Sequence, residues 1–182
     1  MKPLLFVLLF LMVACGGDPG AVSRYSVPKQ TPSTSGKTEV AEPQWRWNRP
    51  DRWENLPASG MRLASFAVPL EDGQGSCSLI LLAGNGGGLI ANINRWRGQL
   101  GLPQASEAAI MAEVKIHPGK ESSFQYILLE NPAQPQQAFL TGIISYPQQT
   151  LFIKLILPQK AVQEQEKSFL EFVASISRSA TT

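Results

Sequence analysis

The chain has 182 residues, 43% of them hydrophobic, and a formal net charge of +2. This composition is typical of a globular protein and argues against disorder throughout. The near-neutral charge gives no argument for nucleic acid as a partner, because nucleic-acid binding favours a basic patch or stripe. There are two cysteines, Cys15 and Cys77. If Cys15 is acylated, Cys77 has no partner, which excludes a disulfide framework and a multi-cysteine metal site.

The first fourteen residues have the organisation of a secretory signal. Residues 3–12 are an uninterrupted apolar run, which is long enough for a signal peptide but short for a membrane-spanning helix. The small residues before Cys15 resemble the cleavage site of a bacterial lipoprotein, although Met12 stands where leucine is usual. We therefore predict a lipoprotein signal peptide over 1–14 and palmitate on Cys15. The alternatives are an ordinary cleaved signal peptide and an uncleaved anchor.

The segment that follows is predicted to be a tether between membrane and domain. Residues 15–44 are rich in Gly, Pro, Ser, Thr, Gln and Lys and contain almost no large apolar side chains, so they cannot offset their own ordering entropy. Asp18 does not directly follow the cysteine, the position that retains lipoproteins at the inner membrane. We expect attachment to the lipid bilayer of the outer membrane, on its periplasmic side, within the cell envelope.

The remaining chain is predicted to be one globular domain over 45–178. Its patterns alternate between strand and helix, and its hairpin-length links favour antiparallel pairing, so the predicted class is α+β. We expect a mainly antiparallel sheet flanked by one central and one C-terminal helix. The predicted strands are a short tryptophan-containing opening, 61–69, 77–83, 112–117, 124–129, 139–146 and 151–157, and the predicted helices are 89–100, 106–111 and 159–176.

Two resemblances concern most of the domain. The sequence over 87–103, GGLIANINRWRGQLGLP, is similar to the signature of a family of uncharacterised bacterial secreted and lipid-anchored proteins without an established activity. Further matching features are Trp47, Pro50 and Trp53, the strand over 61–66, the Phe152–Lys154 segment and the Phe169–Phe172 helix. The element order also resembles the PsbP and Mog1 family, which implies a sandwich fold and a binding or assembly role without shared catalytic residues.

The sequence contains few of the residues from which catalytic or metal sites are usually built. His117 is the single histidine, so a histidine-based triad or a clustered metal site is not expected. The run from Gly84 to Gly88 links a strand to a helix, as phosphate-binding loops do. It lacks the lysine of such loops, and its other interpretation is steric, a sharp turn with close helix packing. Cys77 is interpreted as a buried strand residue or, alternatively, a reactive thiol.

The strongest candidate binding residues lie on the central helix. Asn92, Asn94, Arg95 and Gln99 flank its apolar stripe and either bind a polar partner or hydrogen-bond the protein's own loops. Trp45, Trp47 and Trp53 either form a stacking surface or close one end of the core.

From these features we predict a membrane-anchored lipoprotein with a non-catalytic extracytoplasmic binding or assembly domain. Its partners would be the bilayer, through acylated Cys15, and an envelope protein. The alternative is a small-ligand or anion-binding lipoprotein that uses the Gly-rich loop and the adjacent helix. Neither reading implies an enzyme, a cofactor or a metal.

Overall fold

The computed structural model describes residues 45–57 and 59–179. The predicted signal peptide over 1–14, the lipidation site Cys15 and the tether over 15–44 lie outside the described residues. Within the described part, none of the helices has the length and apolar character needed to cross a bilayer.

The predicted α+β class is confirmed. The helices are α1 (Leu89–Gln99), α2 (Glu107–Glu113) and α3 (Val162–Ser175), the last preceded by a 3-10 turn at Gln159–Ala161. The strands are β1 (Trp45–Arg46), β2 (Glu54–Leu56), β3 (Arg62–Pro69), β4 (Gln74–Ala83), β5 (Lys115–His117), β6 (Phe124–Glu130), β7 (Ala138–Tyr146), β8 (Gln149–Leu157) and β9 (Ser177–Arg178).

Seven strands form one antiparallel sheet in the order β2-β3-β4-β8-β7-β6-β5. The neighbours β3 and β4, and β7 and β8, are hairpins, whereas the pairing of β4 with β8 joins segments far apart in the chain. A second, two-stranded sheet pairs β1 with β9, so the start and the end of the domain meet.

The side chains of β8 alternate between two apolar cores, as a strand buried on both faces requires. Leu151, Ile153 and Leu155 face the core that contains Phe169 and Val173 of α3. Phe152 faces the other core, built mainly from α1, α2, β6 and β7. The domain is therefore a sandwich in which the sheet lies between α3 and the α1–α2 pair.

The predicted helical stripes are confirmed. Ile93 and Trp96 of α1 are buried, as is Leu100 directly after it, and Phe169 and Val173 of α3 are buried on the other face. The alternation that identified the long strands also holds, with bounds that differ by a few residues. β2 and β9 were missed because each is only two or three residues long and shows no periodicity.

The opening tryptophans close one end of the larger core. Trp45 and Trp53 are 5% and 2% exposed, and Trp47 packs partly buried against the same core. Trp53 lies 5.0 Å from the Phe172 ring and 6.0 Å from Phe66, centroid to centroid. Burial of these rings leaves no free aromatic platform at Trp45 or Trp53, so of the two interpretations the structure supports core closure.

Cys77 is expected to be unreactive in the folded protein. Its side chain is 1% exposed within the larger core, and burial raises the pKa of its thiol. The thiolate, which is the reactive form, is therefore scarce at neutral pH. We expect a thiol reagent to modify Cys77 only when urea unfolds the domain, as followed by absorbance in a Cys15→Ser background. Rapid modification of the native protein would instead identify an accessible, reactive thiol.

A candidate anion site between α1 and the sheet

The Gly-rich loop before α1 is a tight turn fixed by its own hydrogen bonds. The N–H groups of Gly86, Gly87 and Gly88 donate to Ala83 O (3.1 Å), Asn85 Oδ1 (3.2 Å) and Asn85 O (3.0 Å). A phosphate-binding loop needs such N–H groups to point at the ligand. Because these three are already used, the loop itself does not form an anion cradle, and the steric interpretation of its glycines is favoured.

Gly86 shows why the turn needs glycine. Its φ is +60°, a backbone conformation that residues other than glycine rarely adopt. A Cβ atom placed there would also come within 2.8 Å of Cζ in the Phe152 ring. The loop therefore passes directly over Phe152 and fixes the position of that ring.

Asn92 secures the loop to α1 from inside. The side chain is 2% exposed, and its Nδ2 donates to Gly86 O (2.9 Å) and Gly88 O (2.7 Å). Its Oδ1 accepts a 2.5 Å hydrogen bond from Arg95 Nη2. Both amide hydrogens of Asn92 are thus used within the protein, which gives this sequence-predicted binding residue a structural role.

We expect Asn92→Ala to lower the free energy of unfolding by about 1–3 kcal/mol, because it leaves the loop carbonyls without their buried donor. The measurement is the midpoint of urea unfolding, which should fall while the m-value, the slope of the unfolding free energy against urea concentration, stays unchanged. Asn55→Ala on exposed β2 is the control and should stay within about 0.5 kcal/mol of the native protein. Equal effects of the two variants would contradict the structural role of Asn92.

Asn94 has a comparable role at the other side of α1. Its Nδ2 donates to Ala105 O (3.1 Å), and its Oδ1 accepts from Ala105 N (2.9 Å). Nearby, Arg97 Nε donates to Pro103 O at 3.0 Å. These bonds fasten α1 to the segment that leads into α2, so we leave Asn92 and Asn94 out of the proposed site.

The other two predicted residues, Arg95 and Gln99, line a cavity between α1 and the sheet. We call this cavity, of about 250 Å³, the α1–β8 pocket. One wall comes from α1 and the floor comes from β4 and β8. The lining residues are Ser78, Ile80, Leu82, Arg95, Trp96, Gln99, Phe152 and Lys154.

Lys154 is the central polar group of the pocket. It is partly buried, and its Nζ donates to Gln99 Oε1 at 3.1 Å. The same Nζ lies 4.5 Å from the centroid of the Phe139 ring and 6.0 Å from that of Trp96. The ammonium is therefore held against aromatic rings and an amide oxygen, without a carboxylate to balance its charge.

The pocket carries an excess of positive charge. Burial holds the pKa of Lys154 below its usual value, and the neighbouring charges of Arg95 and Arg62 lower it further. Within residues 45–57 and 59–179, none of these three cations forms an ion pair with a carboxylate. Uncompensated like charges beside an apolar cavity repel each other, and a bound anion would relieve that repulsion.

A row of hydroxyl groups continues from the pocket across the sheet. The register places Ser65 opposite Ser78, Ser78 opposite Lys154, and Lys154 opposite Thr141. Directly opposed antiparallel residues lie on the same face, with Cβ atoms roughly 5 Å apart. Ser65 Oγ is buried without a hydrogen-bond partner among the described residues. The row therefore has unused hydrogen-bonding capacity next to the cations.

Comparison with known proteins gives similarity of structure only. No family model and no curated protein matches the chain. A crystal structure from Bacteroides thetaiotaomicron VPI-5482 is similar, with a TM-score of 0.46, 13% identity and coverage of 75% of this chain. This chain spans 45% of that protein. The solution structure of the cyanobacterial PsbP (CyanoP) of Synechocystis sp. PCC 6803 has a TM-score of 0.45, 10% identity and coverage of 80% of this chain and 99% of the other.

His117, the histidine considered for catalysis from the sequence, does not line the α1–β8 pocket. His117 lies on edge strand β5, where its Nδ1 contacts Pro118 O and its ring packs near Phe124. Among residues 45–57 and 59–179, no three side chains of the His, Cys, Asp or Glu types cluster as metal ligands.

Lys154 and Ser78 were not predicted as site residues from the sequence. The available signal was a lysine inside the otherwise apolar run of β8, FIKLIL. Its importance depends on the β4–β8 register, which joins residues 76 positions apart in the chain and has no local sequence signature.

Proposed function

We propose that this chain is a lipid-anchored binding protein, not an enzyme, and that its domain binds a small organic anion in the α1–β8 pocket. The observation that carries the proposal is the group of three cations, Arg62, Arg95 and Lys154, without a carboxylate partner in the described structure. Of the two functions expected from the sequence, this arrangement favours the anion-binding alternative. The proposed site lies between the flank of α1 and the sheet, whereas the sequence had suggested the Gly-rich loop.

The apolar part of the pocket supports a ligand of small-molecule type. Known ligand sites are concave and mostly apolar, with a few polar groups that fix orientation. Ile80, Leu82 and Phe152 supply the apolar surface, and Lys154 with Arg95 supply the polar groups. Lys154 is partly buried beside this apolar surface, whereas Arg95, which lines the same pocket, is exposed.

The experiment measures the thermal shift of the purified protein with a panel of organic anions, each matched by a neutral and a cationic molecule of the same size. A ligand that binds only the folded state raises the melting temperature, because it stabilises that state by RT ln(1 + [L]/Kd), where [L] is the free ligand concentration. We expect shifts with anions, loss of the shift in Lys154→Met, and retention in Lys120→Met. Absence of a shift across the anion panel would overturn the proposal.

The anchor is a separate part of the same proposal. Cys15 carries the lipid, residues 15–44 link it to the domain, and the location is the periplasmic side of the outer membrane. The family of uncharacterised lipid-anchored proteins named from the signature over 87–103 is the proposed family. Labelled palmitate should be incorporated by the native chain and not by Cys15→Ser, whereas equal labelling would contradict the anchor.

A further inference from the structure

We infer that the ligand of the α1–β8 pocket is a small amphipathic carboxylate, whose carboxylate meets Lys154 and Arg95 and whose hydrocarbon part lies against Ile80, Leu82 and Phe152. This inference rests on the proposed function and specifies its ligand class. It follows from the division of the pocket into a cationic part and an apolar part, and from the pocket's size.

The cationic part offers donors that are already positioned. Lys154 Nζ is fixed by its 3.1 Å bond to Gln99 Oε1, which leaves its other hydrogens for a ligand. Arg95 is fixed through Asn92 Oδ1 at 2.5 Å and retains further N–H groups of its guanidinium. A carboxylate that accepts from both would form charge-assisted hydrogen bonds, the strongest class available in such a site.

The apolar part excludes a purely inorganic anion as the preferred ligand. Ile80 and Leu82 point from β4 into the same cavity as Phe152, whose ring meets Trp96 edge-on at 5.9 Å. Sulfate or phosphate would leave this surface in contact with water. In the neighbouring Gly-rich loop, the N–H groups of Gly86, Gly87 and Gly88 are already hydrogen-bonded within the protein and are not available to hold phosphate.

The size of the pocket limits the hydrocarbon part. At about 250 Å³ it lies below the usual range of roughly 300–1,000 Å³ for small-molecule sites. A short acyl chain fits this space, whereas the two long chains of a membrane lipid do not. The ligand class is therefore a short-chain or medium-chain monocarboxylate.

The test is a calorimetric titration of the purified protein with acetate, butanoate and hexanoate, together with hexanol, hexylammonium and sulfate. We expect affinity to rise about fourfold for each added methylene group that is buried. Hexanol and hexylammonium should bind at least tenfold more weakly than hexanoate. Lys154→Met should abolish hexanoate binding, and Lys120→Met, an exposed lysine replaced in the same way, should keep it.

A second variant separates the two parts of the pocket. Ile80→Thr retains a β-branched side chain on β4 and is expected to flatten the chain-length series, because it removes apolar surface from the pocket wall. If sulfate or acetate binds as tightly as hexanoate, the anion-binding function stands and the ligand class is wrong. If hexanol equals hexanoate, the carboxylate is irrelevant and the inference fails. If no anion binds, both the proposed function and the inferred ligand class are wrong.

Discussion

Replacing Lys154 by methionine is expected to raise the free energy of unfolding at neutral pH by about 1 kcal/mol while it removes anion binding. Lys154 is partly buried between the Phe139 and Trp96 rings and is repelled by Arg95 and Arg62. Methionine has similar length, fits apolar surroundings and carries no charge. The variant would thus lose function and gain stability, which is the usual relation at a binding site.

The pH dependence of this stability difference has a definite sign. Since folding lowers the pKa of Lys154, the unfolded chain binds more protons than the folded protein between the lowered pKa and the ordinary lysine value. In that window the stability of the native protein rises with pH. The advantage of Lys154→Met should therefore be complete below the lowered pKa and shrink as pH rises toward the ordinary lysine range.

The measurement is chemical unfolding of both proteins at several pH values between neutral and alkaline. Lys120→Met is the matched control, because Lys120 is exposed and its replacement should change stability by less than about 0.5 kcal/mol. A Lys154→Met variant that is less stable than the native protein at neutral pH would show that the lysine stabilises the fold.

Phe172→Ala is expected to have the largest effect on stability, about 3–5 kcal/mol. Phe172 is 1% exposed, and its ring centroid lies 5.0 Å from Trp53 and 5.4 Å from Phe66. Truncation removes these aromatic contacts and leaves a cavity where α3 meets the opening segment. Since small domains have only about 5–15 kcal/mol of stability, this loss is a large part of the total.

The check is the urea midpoint of Phe172→Ala beside that of Met61→Ala, whose side chain is 78% exposed. The exposed variant should stay within about 0.5 kcal/mol of the native protein. Similar midpoints for the two variants would mean that the opening segment and α3 do not pack as described.

The parts of the fold that depend on local pattern were predictable from the sequence. The apolar stripe of α1 and the Phe169–Phe172 face of α3 repeat at helical spacing, and both faces are buried as expected. The pairing of β1 with β9 was not predictable, because it joins two very short segments from opposite ends of the domain. Such non-local pairings leave no periodic signal in either segment.

The candidate site shows the same limit. Asn92 and Arg95 were both selected as polar residues on the flank of α1, yet the first is buried under the loop and the second lines the pocket. Sequence spacing cannot separate these roles, since a hydrogen bond to Gly86 depends on how the loop folds back. Lys154 is recognised as a site residue only from the strand register, which places it opposite Ser78.

The central claim, an organic anion in the α1–β8 pocket, is tested most directly by the indole N–H signals of the four tryptophans in a nitrogen-15 NMR titration with hexanoate. Trp96 lines the pocket, whereas Trp53 is buried in the other core. We predict a saturable shift of the Trp96 signal, an unchanged Trp53 signal, and no saturable shift with hexylammonium. A Trp96 signal that stays constant up to high hexanoate concentration, or that moves no more than Trp53, would contradict the account.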